Sequence, residues 1–113
     1  MKNIAIFVSG NGTNCENIIK HFAGSRDVRV ALVVSNRADS YALTRAARHN
    51  IPTVVIPKSE FGNEAVLMDT LHRHDICFIV LAGFLLMIPD FLVKAYDHRM
   101  VNIHPALLPK YGG

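Results

Sequence analysis

The stretch Asn3-Ile-Ala-Ile-Phe-Val-Ser-Gly-Asn-Gly-Thr-Asn14 decides how this chain is organised. Residues 3–9 are a short, almost wholly apolar run of strand character. The run breaks at once into Gly10-Asn-Gly-Thr-Asn14, ahead of an apolar-periodic stretch from Cys15 to Phe22. Strand, glycine loop and helix in that order make an anion cradle. Glycines let the backbone approach a ligand, and the helix N-terminus supplies free N–H groups and partial positive charge. Thr13 followed by Glu16 fits a capping box, which predicts a helix start beside the loop.

A Gly-x-Gly taken alone is weak evidence, because such turns often serve only to reverse a chain. What the loop lacks narrows its ligand. A dinucleotide fingerprint needs a third glycine where Cys15 stands and an acidic residue closing the second strand, where Ser35-Asn36-Arg37 stands. There is no Gly-Lys-Ser/Thr ending, which disfavours nucleoside triphosphate hydrolysis. A single phosphate monoester fits better.

Outward from this stretch, strand-like runs recur at 28–35, 53–56, 76–81 and 100–103. Amphipathic segments at 14–22, 41–49 and roughly 63–73 read as helices, and Pro89 with Asp90 opens a fourth through about Tyr96. The runs Val28-Arg-Val-Ala-Leu-Val-Val34 and Ile76-Cys-Phe-Ile-Val-Leu81 are nearly continuously apolar, which predicts strands covered on both faces. The fold class expected is α/β, a Rossmann-like parallel sheet with helices on both faces. With 113 residues, half of them apolar, the chain can bury one small core and reads as a single domain over 1–113. It has no internal repeat, low-complexity segment or interdomain linker.

The net charge of +3 is mild and the basic residues are scattered, so nucleic acid is not indicated. No apolar run is long enough to span a bilayer, and residues 1–9 are too short for a signal peptide, so no membrane partner is expected. Cys15 and Cys77 lack paired spacing, which suggests a reducing cytoplasm and no disulfide. Cys15 at a helix start reads as an inert core thiol rather than an activated one. His72 and His74 form a His-x-His without a third ligand. Interaction with a helix C-terminus is the preferred reading, and no metal is expected.

The second informative stretch is Met100-Val-Asn-Ile-His-Pro-Ala-Leu-Leu-Pro-Lys-Tyr-Gly-Gly113. In a strand, residues two apart share a face, so Asn102 and His104 point the same way, roughly 6–7 Å apart at Cα. Pro105 biases His104 toward an extended backbone. An amide beside an imidazole suits acid/base chemistry on a carbonyl. The competing reading is that both merely satisfy loop backbone at a strand end. Because the sequence stops in a glycine loop directly after this motif, it reads as a fragment truncated after strand 5.

Ser9-Gly-Asn-Gly-Thr-Asn14, Val34-Ser-Asn-Arg37, Val80-Leu-Ala-Gly-Phe84 and Asn102-Ile-His-Pro-Ala-Leu-Leu-Pro109 together resemble the phosphoribosylglycinamide formyltransferase family of purine biosynthesis. Asn-x-His-Pro-x-Leu-Leu-Pro also occurs in tRNA formyltransferases and formyltetrahydrofolate hydrolase, so the first loop separates the relatives. The resemblance implies formyl transfer from 10-formyltetrahydrofolate, a co-substrate, to the amine of glycinamide ribonucleotide, without a metal. It implies small-molecule partners, a phosphoribosyl substrate and a folate, for a cytoplasmic monomer or homodimer. Gly12, Thr13 and Asn14 would hold the ribose phosphate. Leu85, Leu86, Met87 and Ile88 would offer backbone groups to the folate, which Asn102 would also bind, and Asn102 with His104 would be catalytic. Without the resemblance, Leu85, Met87 and Ile88 read as core. The family's aspartate partner of the histidine falls beyond residue 113, and many members carry arginine where Leu86 and Asn63 stand. Formyltetrahydrofolate hydrolysis and a non-catalytic phosphate-binding module are the alternatives.

Overall fold

The computed structural model describes residues 1–103. Its elements run β1 (Lys2–Val8), α1 (Thr13–Phe22), β2 (Val28–Ser35), α2 (Tyr41–Arg48), β3 (Thr53–Val55), α3 (Lys58–Phe61), α4 (Glu64–Arg73), β4 (Ile76–Ala82), α5 (Asp90–Ala95) and β5 (Met100–Ile103). The five strands form one parallel sheet in the order β3-β2-β1-β4-β5. The order reverses between β1 and β4. In open α/β sheets, ligands bind outside the carboxyl ends of the strands at such a switch point.

Alternation along β1 explains the layers. Ile4, Ile6 and Val8 bury against Cys15 and Ile19 of α1 and Ala42 and Ala46 of α2. Ala5 and Phe7 point the other way, into a cluster with Phe61, Leu67, Leu71, Leu92 and Tyr96 from α3, α4 and α5. Each face of a strand carries every second side chain, so an unbroken apolar run is needed to serve both layers. β2 meets the two-sided expectation from Val30 to Ser35. β4 departs from it, because Cys77 and Phe78 are only half-buried. They line an open groove of about 630 Å³, with Ile18 and Phe22 of α1 on one side and Val101 and Ile103 of β5 on the other.

The helix expected at roughly 63–73 is α4, and the four-residue helix α3, directly after Pro57 and with Phe61 buried, is an element the sequence reading lacked. Asn63 then caps α4, its side chain accepting from the Val66 N–H at 3.3 Å. That contact accounts for a short polar residue at this position. The capping box at α1 is not formed. Gly12 is the N-cap, in a left-handed conformation (φ 85°), and no side chain caps the helix. Glu16 is drawn away by α2.

Candidate active site at the carboxyl edge of the sheet

The glycine loop, the candidate anion loop, lies between the end of β1 and the first turn of α1. It borders a crevice of about 250 Å³ lined by Val8, Gly10 to Asn14, Ala82 and Gly83, at the β1/β4 switch point. The opening N–H groups of a helix have no intrahelical acceptor. Here they include those of Gly12, Thr13 and Asn14, all of which line the crevice.

Gly12 has a steric reason to be glycine that the sequence reading did not anticipate. A Cβ built on it would lie 2.5 Å from the Ala42 Cβ and 2.6 Å from the Ala42 Cα, and its φ is positive. Glycine is required because the loop turns left-handed directly against the backbone of α2. Gly10, with nothing within 4 Å of its own hypothetical Cβ, is free of that constraint.

The loop is braced by residues that sequence reading did not single out. Ser40, at the start of α2, donates its hydroxyl to the Gly10 carbonyl at 2.6 Å. Arg45 forks Asn11, donating from Nε to the carbonyl and from Nη2 to Oδ1, each at 2.9 Å. Its Nη1 donates to Glu16 at 2.6 Å, and the guanidinium carbon lies 4.9 Å from the centre of the Tyr41 ring. His49 reaches the other Glu16 oxygen at 3.0 Å. Hydrogen bonds from His49 and then Arg45 hold the Glu16 carboxyl below its usual range. The clue was helical spacing, since Arg45 and His49 stand four apart on one face of the helical segment. Their partner on α1 was visible only in three dimensions.

Ser9 is fully buried, and its hydroxyl joins three loops. It donates to Asn36 Oδ1 at the end of β2 at 2.6 Å and accepts the Leu85 N–H after β4 at 2.8 Å. The Ser9 N–H reaches the Gly83 carbonyl at 3.4 Å. Burial pushes the Cys15 thiol of α1 up to about 12, with Glu16 adding to the shift, so this cysteine is the core thiol expected.

Segment 83–89 carries no helix or strand. Phe84 anchors it by packing on Phe7 and Phe61, with ring centroids 5.5 and 5.1 Å apart. Beyond it the side chains alternate. Leu86 and Ile88 pack against the core, whereas Leu85 and Met87 are 77% and 90% exposed. Reading Leu85 and Met87 as core is therefore wrong, because an extended segment at a sheet edge buries only every second side chain.

Asn102 is exposed on the edge strand β5, in register with Leu81 and, through it, with Phe7. It thus shares the sheet face on which Leu86 and Ile88 pack. His104 lies outside the described residues. His72 and His74 end α4, as its last turn and C-cap. Among the described residues no group of three His, Cys, Asp or Glu side chains is placed to hold a metal, and no helix is long and apolar enough to cross a membrane.

Residues 2–113 match the family model described as Formyl transferase. The chain is 37% identical to the phosphoribosylglycinamide formyltransferase of Haemophilus influenzae and 34% identical to that of Bacillus subtilis, with all of this chain aligned in both. It spans 56% and 60% of the length of those two relatives. Its fold superposes on glycinamide ribonucleotide transformylase 1 from Geobacillus kaustophilus with a TM-score of 0.85 at 37% identity, covering all of this chain and 63% of that one.

Proposed function

The chain belongs to the formyl transferase family, and on that premise we propose that its protein transfers a formyl group from 10-formyltetrahydrofolate to the amine of glycinamide ribonucleotide. The observation that carries the reading is the crevice at the strand-order reversal. There a helix N-terminus faces the same edge of the sheet as the 85–88 segment and Asn102. A phosphate monoester would take the N–H groups of Gly12, Thr13 and Asn14. The folate would lie along the backbone of Leu85, Leu86, Met87 and Ile88.

In the reaction the substrate amine attacks the formyl carbon, negative charge gathers on the formyl oxygen, and the carbon–nitrogen bond to the folate then breaks. The proton lost by the amine must reach the departing folate nitrogen. Asn102 can donate its amide N–H to the oxygen, and His104 as imidazolium can stabilise the same oxygen and act in the proton transfer. The protein would act in the cytoplasm as a monomer or homodimer. Its free cysteines are compatible with a reducing compartment.

A formyl-transfer assay on the intact protein tests this. Transfer should depend on both the phosphoribosyl amine and the formyl folate. Replacing His104 by Ala should lower kcat by about 10²–10⁴ while leaving ribonucleotide binding nearly intact. Formate release that ignores the amine would instead identify a hydrolase. Ligand binding without turnover would identify a binding module.

A further inference from the structure

Two loops of the candidate site, the anion loop and the segment 83–89, leave different strands and touch different parts of the proposed substrates. Little joins them directly. The Ser9 hydroxyl is one of the few links and the shortest. It accepts the Leu85 N–H at 2.8 Å while its own proton is committed to Asn36 Oδ1 at 2.6 Å. Because that proton is engaged, the hydroxyl rotor is fixed and a lone pair is held toward Leu85. A free hydroxyl could turn to donate elsewhere. Ser9 is completely buried, so water does not readily replace it as the acceptor.

The dependence is one-sided. The anion loop is also held by Ser40 on Gly10 and by the Arg45 fork on Asn11. Segment 83–89 has core packing from Phe84, Leu86 and Ile88, but the mostly exposed Leu85 side chain gives its own N–H no such anchor, so that N–H relies on Ser9.

We infer that Ser9, with Asn36 orienting its hydroxyl, is a positioning residue that fixes the backbone of residues 85–88 relative to the anion loop, and so sets folate affinity without touching the folate. The assignment of the folate to 85–88 rests on the function proposed above. The position of Ser9 at the meeting of three loops does not depend on that reading.

Ser9→Ala in the intact protein separates the two. Amide hydrogen exchange should quicken at Leu85 and Leu86 in the variant, with the amides of Thr13 and Asn14 unchanged. Tetrahydrofolate, titrated calorimetrically, should bind about tenfold more weakly, as expected for a buried N–H left without its acceptor. The KM for the phosphoribosyl amine should move less than about twofold. Asn36→Ala should give the same pattern more weakly, because the acceptor oxygen remains and only its orientation is released.

Unchanged exchange at Leu85 in Ser9→Ala would overturn the positioning role whatever the folate does. Faster exchange with unaltered folate affinity would overturn its link to the folate. Equal weakening of both substrates would reassign Ser9 to general support of the edge. Should the wild-type protein bind no tetrahydrofolate at all, the proposed function fails, and the exchange comparison still decides whether Ser9 holds the segment.

Discussion

The anion loop and the segment after β4 are built from the same device and held in opposite ways. Each leaves the carboxyl end of an inner strand and turns through a glycine with positive φ, Gly12 at 85° and Gly83 at 71°. Around Gly12 the space is full, since a methyl group there would strike the backbone of α2, and Ser40 and Arg45 grip the residues before it. Around Gly83 there is nothing within 4 Å of a hypothetical Cβ. The first loop is fixed by the helix beside it and gains its rigidity from tertiary contacts. The second is held from beneath, by Phe84, Leu86 and Ile88 packing on the core, and by two hydrogen bonds to Ser9.

The sharpest way to break this comparison is to give both glycines the same side chain. Gly12→Ala must bear the left-handed backbone cost and the collision with Ala42, about 2–5 kcal/mol together. Gly83→Ala bears the backbone cost alone, about 1–2 kcal/mol. Equilibrium denaturation of the two variants measures the gap, and equal losses would show that the packing around Gly12 yields at no cost.

Within segment 83–89, the alternation can be tested next. Leu86→Ala should cost about 1–2 kcal/mol through lost apolar contact, while Met87→Ala should stay within about 0.5 kcal/mol. Similar losses at both positions would mean that the in–out pattern is absent in solution.

The smallest expected effect concerns the brace on the anion loop and is read through pH. The Glu16 carboxyl titrates below its usual range in the folded chain because His49 and Arg45 hydrogen-bond to the charged form. A lowered folded pKa contributes stability that is complete above the ordinary value of 4.5. That stability is lost as pH falls through the lower folded value. Thermal melts taken from about pH 6 down to about pH 3 should therefore fall less steeply in Glu16→Gln than in the parent. An identical slope would remove Glu16 from the acid response and leave the brace to Arg45 alone.

The sequence by itself determined the layered α/β plan. Strand and helix periods are local properties, and Ile4-Ala-Ile-Phe-Val8 can serve two covered faces only in a parallel sheet with helices on both sides. It likewise determined the glycine loop between β1 and α1 and the strand β5, because a strand end, glycines and a helix start carry their meaning within a few residues. It misread what depends on neighbours far along the chain. Thr13 and Glu16 have the spacing of a capping box, but Arg45 and His49, 29 and 33 residues away, take the Glu16 carboxylate. Leu85 and Met87 have the composition of a core, yet beyond the end of the sheet they stand mostly exposed among the described residues. Ser9 shows the limit most clearly. In sequence it is a small polar residue closing a strand. Only the parallel pairing of β1 with β2 and β4 brings Asn36 and Leu85 to its hydroxyl, since a hydrogen bond spanning 76 residues is set by the sheet register and by no local propensity.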